Sequence, residues 1–310
     1  MKTMHRLALV PALGIGLVAA ASAAPSLAQS TADEACELPK GWSEVSARDA
    51  DFIVLGELHG TKEGPALVES IVCALASRGE RVLLAVEFSS MHNTKWQEAW
   101  ELAPDAFAEA IKEHGWRGRM DGVASQAMWQ MVTRAHALRA SGASVDIVAF
   151  NGARDEQQAA KFADLPAQEP HEAAQAANIA EAARSGDYDT TLVLVGNAHA
   201  ALKPIFGYEP MAPKLKAYGS VTTLNMAYAT GASWSCQMTI PDGIEPGDPV
   251  PQSAVQCAEH AAKGLPDPGL GVHMALGAFP GRDPGGYYDG YFWVGPISAS
   301  PPAVPDGDEG

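Results

Sequence analysis

The chain has 310 residues, a length that suits one large domain or two small ones. With 47% hydrophobic and 19% charged residues, it is neither disordered nor collagen-like. Its 21 Lys+Arg against 37 Asp+Glu, net −16, repel nucleic acid and anionic membrane surfaces, which excludes polyanionic partners.

The chain opens on a short basic region, Lys2, His5 and Arg6, followed by an apolar stretch from Leu7 to Ala21. Small residues follow, with cleavage sites at Ala21-Ser22-Ala23 or Ser26-Leu27-Ala28, so residues 1–28 read as a secretory signal peptide. The alternative, an uncleaved anchor, is opposed by Pro11 and the small-residue end. Gly14-Ile15-Gly16-Leu17-Val18-Ala19 spells a dinucleotide fingerprint by letters alone, inside the signal. Loss of Lys2 and Arg6 would leave 19 bases against 37 acids, net −18. No later apolar run reaches about 20 residues, so no polytopic membrane protein is expected. The expectation is a periplasmic or secreted protein with no stable membrane anchor once the signal is removed.

Four cysteines, Cys36, Cys73, Cys236 and Cys257, lie beyond the signal. An even count in an exported chain points to disulfides, with three connectivities open. Cys36–Cys73 and Cys236–Cys257 are the favoured pairs, with Cys73 as a buried free thiol the alternative.

Four apolar runs, each ending in polar residues, predict strands at 52–55, 82–86, 145–150 and 192–195. Near-continuous β-branched runs of this length fit strands buried on both faces, as in a parallel sheet. Amphipathic or Ala-rich patterns at 65–76, 95–114, 124–140 and 171–184 predict helices between them. Alternation of this kind predicts an α/β fold, a mainly parallel sheet flanked by helices. Further strands are expected at 221–227 and 233–240, and a last edge strand at 287–294. Residues 241–300, rich in Pro and Gly, are expected to form an irregular extension on the same domain, which spans 45–240. Residues 301–310 are expected to be a disordered tail.

In open α/β sheets ligands bind beyond the carboxyl ends of the strands. Those ends carry Glu57, His59, Glu87, Asn151, Arg154 and His199. His59, His199 and Glu87 form the set expected for a divalent metal; the same residues with Glu57 also suit metal-free acid–base chemistry. Gly-x-x-His occurs twice, at Gly56–His59 and Gly196–His199, and each glycine is expected to let the backbone turn tightly. His92, His114, His136 and His171 are expected to be ordinary loop residues. There is no His-Glu-x-x-His, no Gly-x-Ser-x-Gly and no phosphate-binding Gly-Lys-Ser/Thr loop.

Val54-Leu55-Gly56-Glu57-Leu58-His59-Gly60-Thr61-Lys62-Glu63 resembles the opening motif of a superfamily that joins ChaN-like haem-binding uptake proteins, Tiki/TraB-type proteins and erythromycin esterases. Leu84-Ala85-Val86-Glu87-Phe88 is similar to its second-strand glutamate. Trp129 with Val148–Arg154 resembles the middle of ChaN-like domains, and Val195-Gly196-Asn197-Ala198-His199 the second Gly-x-x-His. The resemblance covers residues 50–205. The chain departs from ChaN-like proteins in lacking a lipidation cysteine, and neither Tyr188 nor Tyr208 is singled out as a haem ligand.

The resemblance implies a ChaN-like domain that binds haem iron or another small ligand, possibly as a homodimer. The alternative is a metal-dependent or esterase-like hydrolase of a small-molecule or peptide substrate. In it Glu57 or Glu87 would be the base on a metal-bound water, or His59 would activate water directly, with Arg154 stabilising the oxyanion. The cofactor is left open between a divalent metal and haem iron. A scaffold whose polar strand ends are structural relics is the third reading.

Overall fold

Each apolar run is a strand: β1 (Phe52–Glu57), β2 (Val82–Ser89), β3 (Val145–Asn151) and β4 (Thr190–Gly196). With β5 (Val221–Ala227), β8 (His273–Leu276) and β9 (Gly290–Trp293) they form a seven-stranded sheet in the order β3-β2-β4-β1-β5-β9-β8. All neighbours are parallel except β8, which runs antiparallel to β9. β6 (Gly231–Met238) and β7 (Val255–Ala262) pair separately as an antiparallel ladder. The computed structural model describes residues 36–239, 251, 254–282 and 285–304, all within one compact unit. The expected signal at 1–28 and residues 305–310 of the expected tail lie outside them, whereas residues 301–304 are held to the domain, with Gln126 N donating to Pro301 O and Ala303 N to Ala124 O.

Both faces of the sheet are covered, which is why its central strands read as near-continuous apolar runs. Ile53 and Leu55 of β1 point into one core with α2 (Glu63–Ser77), α3 (Asn93–Trp100), α4 (Pro104–Gly115) and α5 (Gln126–Ala140). The short α1 (Trp42–Ser46) joins that side through Trp42 and Val45. Phe52 and Val54 point the other way, against α7 (Glu169–Arg184) and α9 (Met211–Leu215). Between these lie α6 (Glu156–Phe162) and α8 (Asn197–Ala200). Among the described residues no helix is long and apolar enough to cross a membrane.

The helical stretch expected at 95–114 is broken between Trp100 and Pro104. Pro104 occupies the first turn of α4, where its missing N–H costs nothing, and it disfavours a helical residue before it. The 241–300 stretch is more ordered than its Pro/Gly content suggests, since β7, β8 and β9 all lie in it. β9 is not an edge strand. Phe292 faces one core, Tyr291 and Trp293 another cluster, and β8 covers its outer side.

The opposite edge, β3, is closed by side chains of α3. Gln97 Nε2 donates to Ile147 O at 2.7 Å, Trp100 Nε1 donates to Val145 O at 3.2 Å, and Asn93 Oδ1 accepts from Ala149 N at 3.0 Å. The spacing i, i+4, i+7 puts these groups on one helix face, where they stand in for a neighbouring strand. Both favoured disulfides, Cys36–Cys73 and Cys236–Cys257, are present.

His136 is no loop histidine. It sits on α5, 2% exposed, stacked flat on Phe107 at 3.9 Å, and its Nδ1 has no hydrogen-bond partner. Burial pushes its pKa below the ordinary 6.5. A histidine held neutral by folding costs stability once the unfolded chain can bind the proton, so its cost is absent above about pH 6.5 and grows as pH falls below it. Denaturant unfolding between pH 7 and 5 should show a shallower loss of stability in His136→Leu than in the wild type. Equal slopes would remove His136 from the acid response.

Candidate active site

β2, β4 and β1 are adjacent at the centre of the sheet and parallel, so their carboxyl ends emerge side by side. Glu57 ends β1 and His59 follows two residues later. Glu87 lies near the end of β2, and Gly196 ends β4 just before His199 in α8.

The side chains meet in one chain of contacts. His59 Nδ1 is 2.9 Å from Glu57 Oε1, and His59 Nε2 is 3.2 Å from Glu87 Oε2. On the other side of Glu87, Oε1 lies 3.6 Å from His199 Nε2. His199 Nδ1 lies 2.8 Å from both oxygens of Glu172, a residue not among those expected from the sequence. The Gly196 N–H donates to Glu87 Oε2 at 2.7 Å. Each imidazole is thus oriented at Nδ1 by its own buried glutamate and turns Nε2 toward the shared Glu87. Side-chain exposure is 29% for His59 and 21% for His199, against 1% for Glu57 and Glu172, so the rings face solvent and their partners do not.

The two Gly-x-x-His motifs need their glycines for space, not for a left-handed turn. Gly196 has φ −54°, and Gly56 is not among the positive-φ glycines. A Cβ on Gly56 would lie 2.8 Å from Ala200 Cβ and 3.0 Å from Asn197 Cα, both beside the second motif's histidine. A Cβ on Gly196 would lie 2.8 Å from His59 Nε2, the first motif's histidine. Each glycine makes room for the other motif.

Electrostatically the cluster holds its protons on the rings. Burial alone would push His59 down, but Glu87 and Glu57 outweigh it and raise its pKa well above 6.5. His199 is raised in the same way, with Glu172 and Glu87 overcoming burial. Burial would raise Glu87, yet His59, His199 and the Gly196 N–H bring it down to about 2. Glu57 goes the other way: burial dominates and raises it, and its Oε2 has no hydrogen-bond partner.

Arg154 is not brought to this cluster. Its guanidinium pairs with Glu181 and Asp155, and it lines a separate cavity with Asp146 and Tyr188. The physical reason is position: β3 is the edge strand, and the helices following it supply carboxylates that hold the arginine outward. Asn151, also not in contact with the cluster's carboxylates, accepts from Gln175 Nε2 at 3.0 Å. Tyr188 donates to Asp146 at 3.0 Å and so stands with that outer group. Glu172 is placed by the crossover from β3 to β4: α7 begins at the carboxyl edge, so its first turn faces the strand ends. His171, next to it and also expected in a loop, belongs to α7, with its ring 6.1 Å from that of His199.

His59, His199 and Glu87, the set expected for a divalent metal, are drawn together around the one carboxylate. Among the described residues no group of three His, Cys, Asp or Glu side chains could hold a metal ion. Both Glu87 oxygens are already turned to the imidazoles, and one also accepts the Gly196 N–H. One thing the set can do is move protons between two oriented imidazoles.

Gly196→Ala tests this packing. The added methyl must displace His59 or Glu87, at a cost of about 1–3 kcal/mol. The expected result is a lower denaturation midpoint together with shifted His59 imidazole resonances, whereas a variant of wild-type stability with unmoved resonances would contradict the geometry.

No protein-family model matches the sequence, and no curated protein sequence matches it. Solved structures do resemble the fold. An erythromycin esterase, EreC, in an open conformation superposes with a TM-score of 0.56 at 10% identity, covering 84% of this chain and 94% of that one. A Bacillus cereus protein gives 0.53 at 10% identity, covering 81% and 90%. The haem-binding ChaN of Campylobacter jejuni overlaps less, at 0.35 and 13% identity over 59% of this chain and 84% of that one. The α/β fold expected from the sequence is thus one that the erythromycin esterase and the Bacillus cereus protein share.

Proposed function

We propose that the protein is a metal-independent hydrolase of carboxylic esters in which His59 and His199 are the proton-transfer pair. One observation carries this reading: two solvent-facing imidazoles, each oriented at Nδ1 by a buried glutamate, converge at Nε2 on a single carboxylate. An oriented histidine backed by a carboxylate is the arrangement that makes an imidazole an effective general base. The shared fold with an erythromycin esterase supports the reaction class.

In the reactive form His59 is neutral, with its Nδ1–H held by Glu57. As the oxygen of a water molecule bonds to the acyl carbon, Nε2 takes the water's proton, and Glu57 stabilises the imidazolium that results. His199, held by Glu172, gives its Nε2 proton to the leaving alkoxide as the carbon–oxygen bond breaks. Ester and water become acid and alcohol. The proton then passes from His59 to His199 along Glu87, which restores the starting state. The two disulfides suit the oxidising compartment that an exported hydrolase would occupy.

His59→Gln and His199→Gln should each lower turnover on an ester panel by about 10²–10⁴-fold while circular dichroism stays unchanged. Because the base His59 must be neutral while the acid His199 keeps its proton, and both pKa values are raised, the wild-type rate should climb as pH rises from about 6, by up to about tenfold per unit, and fall again once His199 is deprotonated. Dialysis against a chelator should leave the rate intact. A rate lost on chelation and restored by a divalent metal would return the site to a metal centre. Haem binding is the other activity implied by the motifs. A Soret band on titration with stoichiometric haemin, in protein without ester turnover, would replace the hydrolase with a carrier.

A further inference from the structure

We propose that Trp234, on the β6–β7 hairpin, is a positioning residue that fixes His59 through Gly60. The inference rests on the reading of His59 as the base, and it assigns a role to the C-terminal part of the chain, which lies outside the recognisable motifs.

Gly60 follows His59 directly and is held on every side. Its N–H donates to Gly122 O at 3.1 Å, and its carbonyl accepts from Trp234 N at 2.9 Å and from Ser300 N at 2.8 Å. Its φ of +72° lies in the left-handed region, and a Cβ there would fall 1.9 Å from Trp234 O. Gly122, on the far side, is equally closed: its Cβ would meet Trp234 O at 2.6 Å and Gly60 N at 2.7 Å. The backbone of Trp234 therefore lies in contact with two glycine backbones at once, with no room for a side chain between them.

The indole anchors this contact. Trp234 Nε1 donates to Met120 O at 2.8 Å, tying the hairpin to the loop that ends in Gly122. Two residues along β6, Cys236 is paired in register with Cys257 and bonded to it, which holds the two hairpin strands together where the indole bears on its partner. The main chain leaving His59 is thus clamped between the 120–122 loop, the hairpin and the 298–300 segment. His59 Nδ1 reaches Glu57 and Nε2 reaches Glu87 only while that main chain stays in place.

Trp234→Phe removes the indole N–H and keeps an aromatic ring. Trp100→Phe is the control: Trp100 Nε1 likewise donates to a backbone carbonyl, Val145 O, but on β3 and away from the cluster. Two readouts are taken on the full chain. One is kcat and KM on the ester panel; the other is the downfield NMR signal of the His59 Nδ1 proton bonded to Glu57, identified by its loss in His59→Gln. Trp234→Phe should lower kcat about tenfold or more with KM nearly unchanged, and should broaden or shift the proton signal. Trp100→Phe should keep both readouts at wild type, whatever its effect on stability. An unaltered proton signal and kcat in Trp234→Phe, or equal effects in the two variants, would overturn the clamp. Should the wild type hydrolyse no ester, the hydrolase reading fails by itself, and the proton signal alone then decides whether Trp234 positions His59.

Discussion

Glu87 is a carboxylate buried between two imidazoles, and the geometry around it requires three strands to end together. β2 supplies the carboxylate, β1 the loop to His59, and β4 the Gly196 N–H and the turn to His199. A carboxylate withdrawn from water is stable as an anion only when charge and hydrogen bonds replace its hydration. Here two histidines and one backbone N–H do so, which is why its pKa falls to about 2 despite burial. The same contacts hold the proton on His59, so the stability of the charged cluster and the pH at which it could act as a base are set by one interaction.

The close approach of the strand ends leaves no spare volume. Gly56 yields space to α8, and Gly196 yields space to His59. The repeated motif is therefore a packing pair across adjacent parallel strands, and each half is intelligible only beside the other. Further out, the loop after His59 is completed by chain that comes much later. Lys62 N donates to Ser298 O at 3.0 Å, Ser298 N donates to Glu63 Oε2 at 3.0 Å, and Ala127 N donates to Ser300 Oγ at 2.9 Å. Contacts this distant in sequence carry a closure entropy that neighbouring residues do not. The site is assembled from both ends of the domain.

Much of the frame was legible because burial on both faces leaves a plain mark. A strand covered by helices on either side is apolar at nearly every position, as 52–55, 82–86 and 192–195 are throughout and 145–150 is except at Asp146. The placement rule for parallel sheets then brings Glu57, His59, Glu87 and His199 together. It fails for Arg154, because β3 lies at the sheet edge and Glu181 is nearer to the guanidinium than the cluster is. Glu172 was hidden for a different reason. In a helix rich in Ala, Glu and Gln, one buried glutamate looks like its exposed neighbours until the helix is set against the sheet. His136 was hidden likewise, since a lone histidine in a pattern of mixed polarity carries no sign of the ring beneath it.

By itself the sequence determined the α/β frame and four of the five residues that touch at the centre of the sheet, and it favoured the two disulfide pairs that form. It could do so because periodicity, strand-end position and cysteine count are local properties of the chain. Only the tertiary structure decided that Glu172 completes the second imidazole, that Arg154 stands elsewhere, and that the Pro/Gly-rich region contributes β7, β8 and β9. Those outcomes depend on which distant groups compete for one carboxylate, one guanidinium or one open strand edge. Such competition is settled by distance in space, on which spacing along the chain is silent.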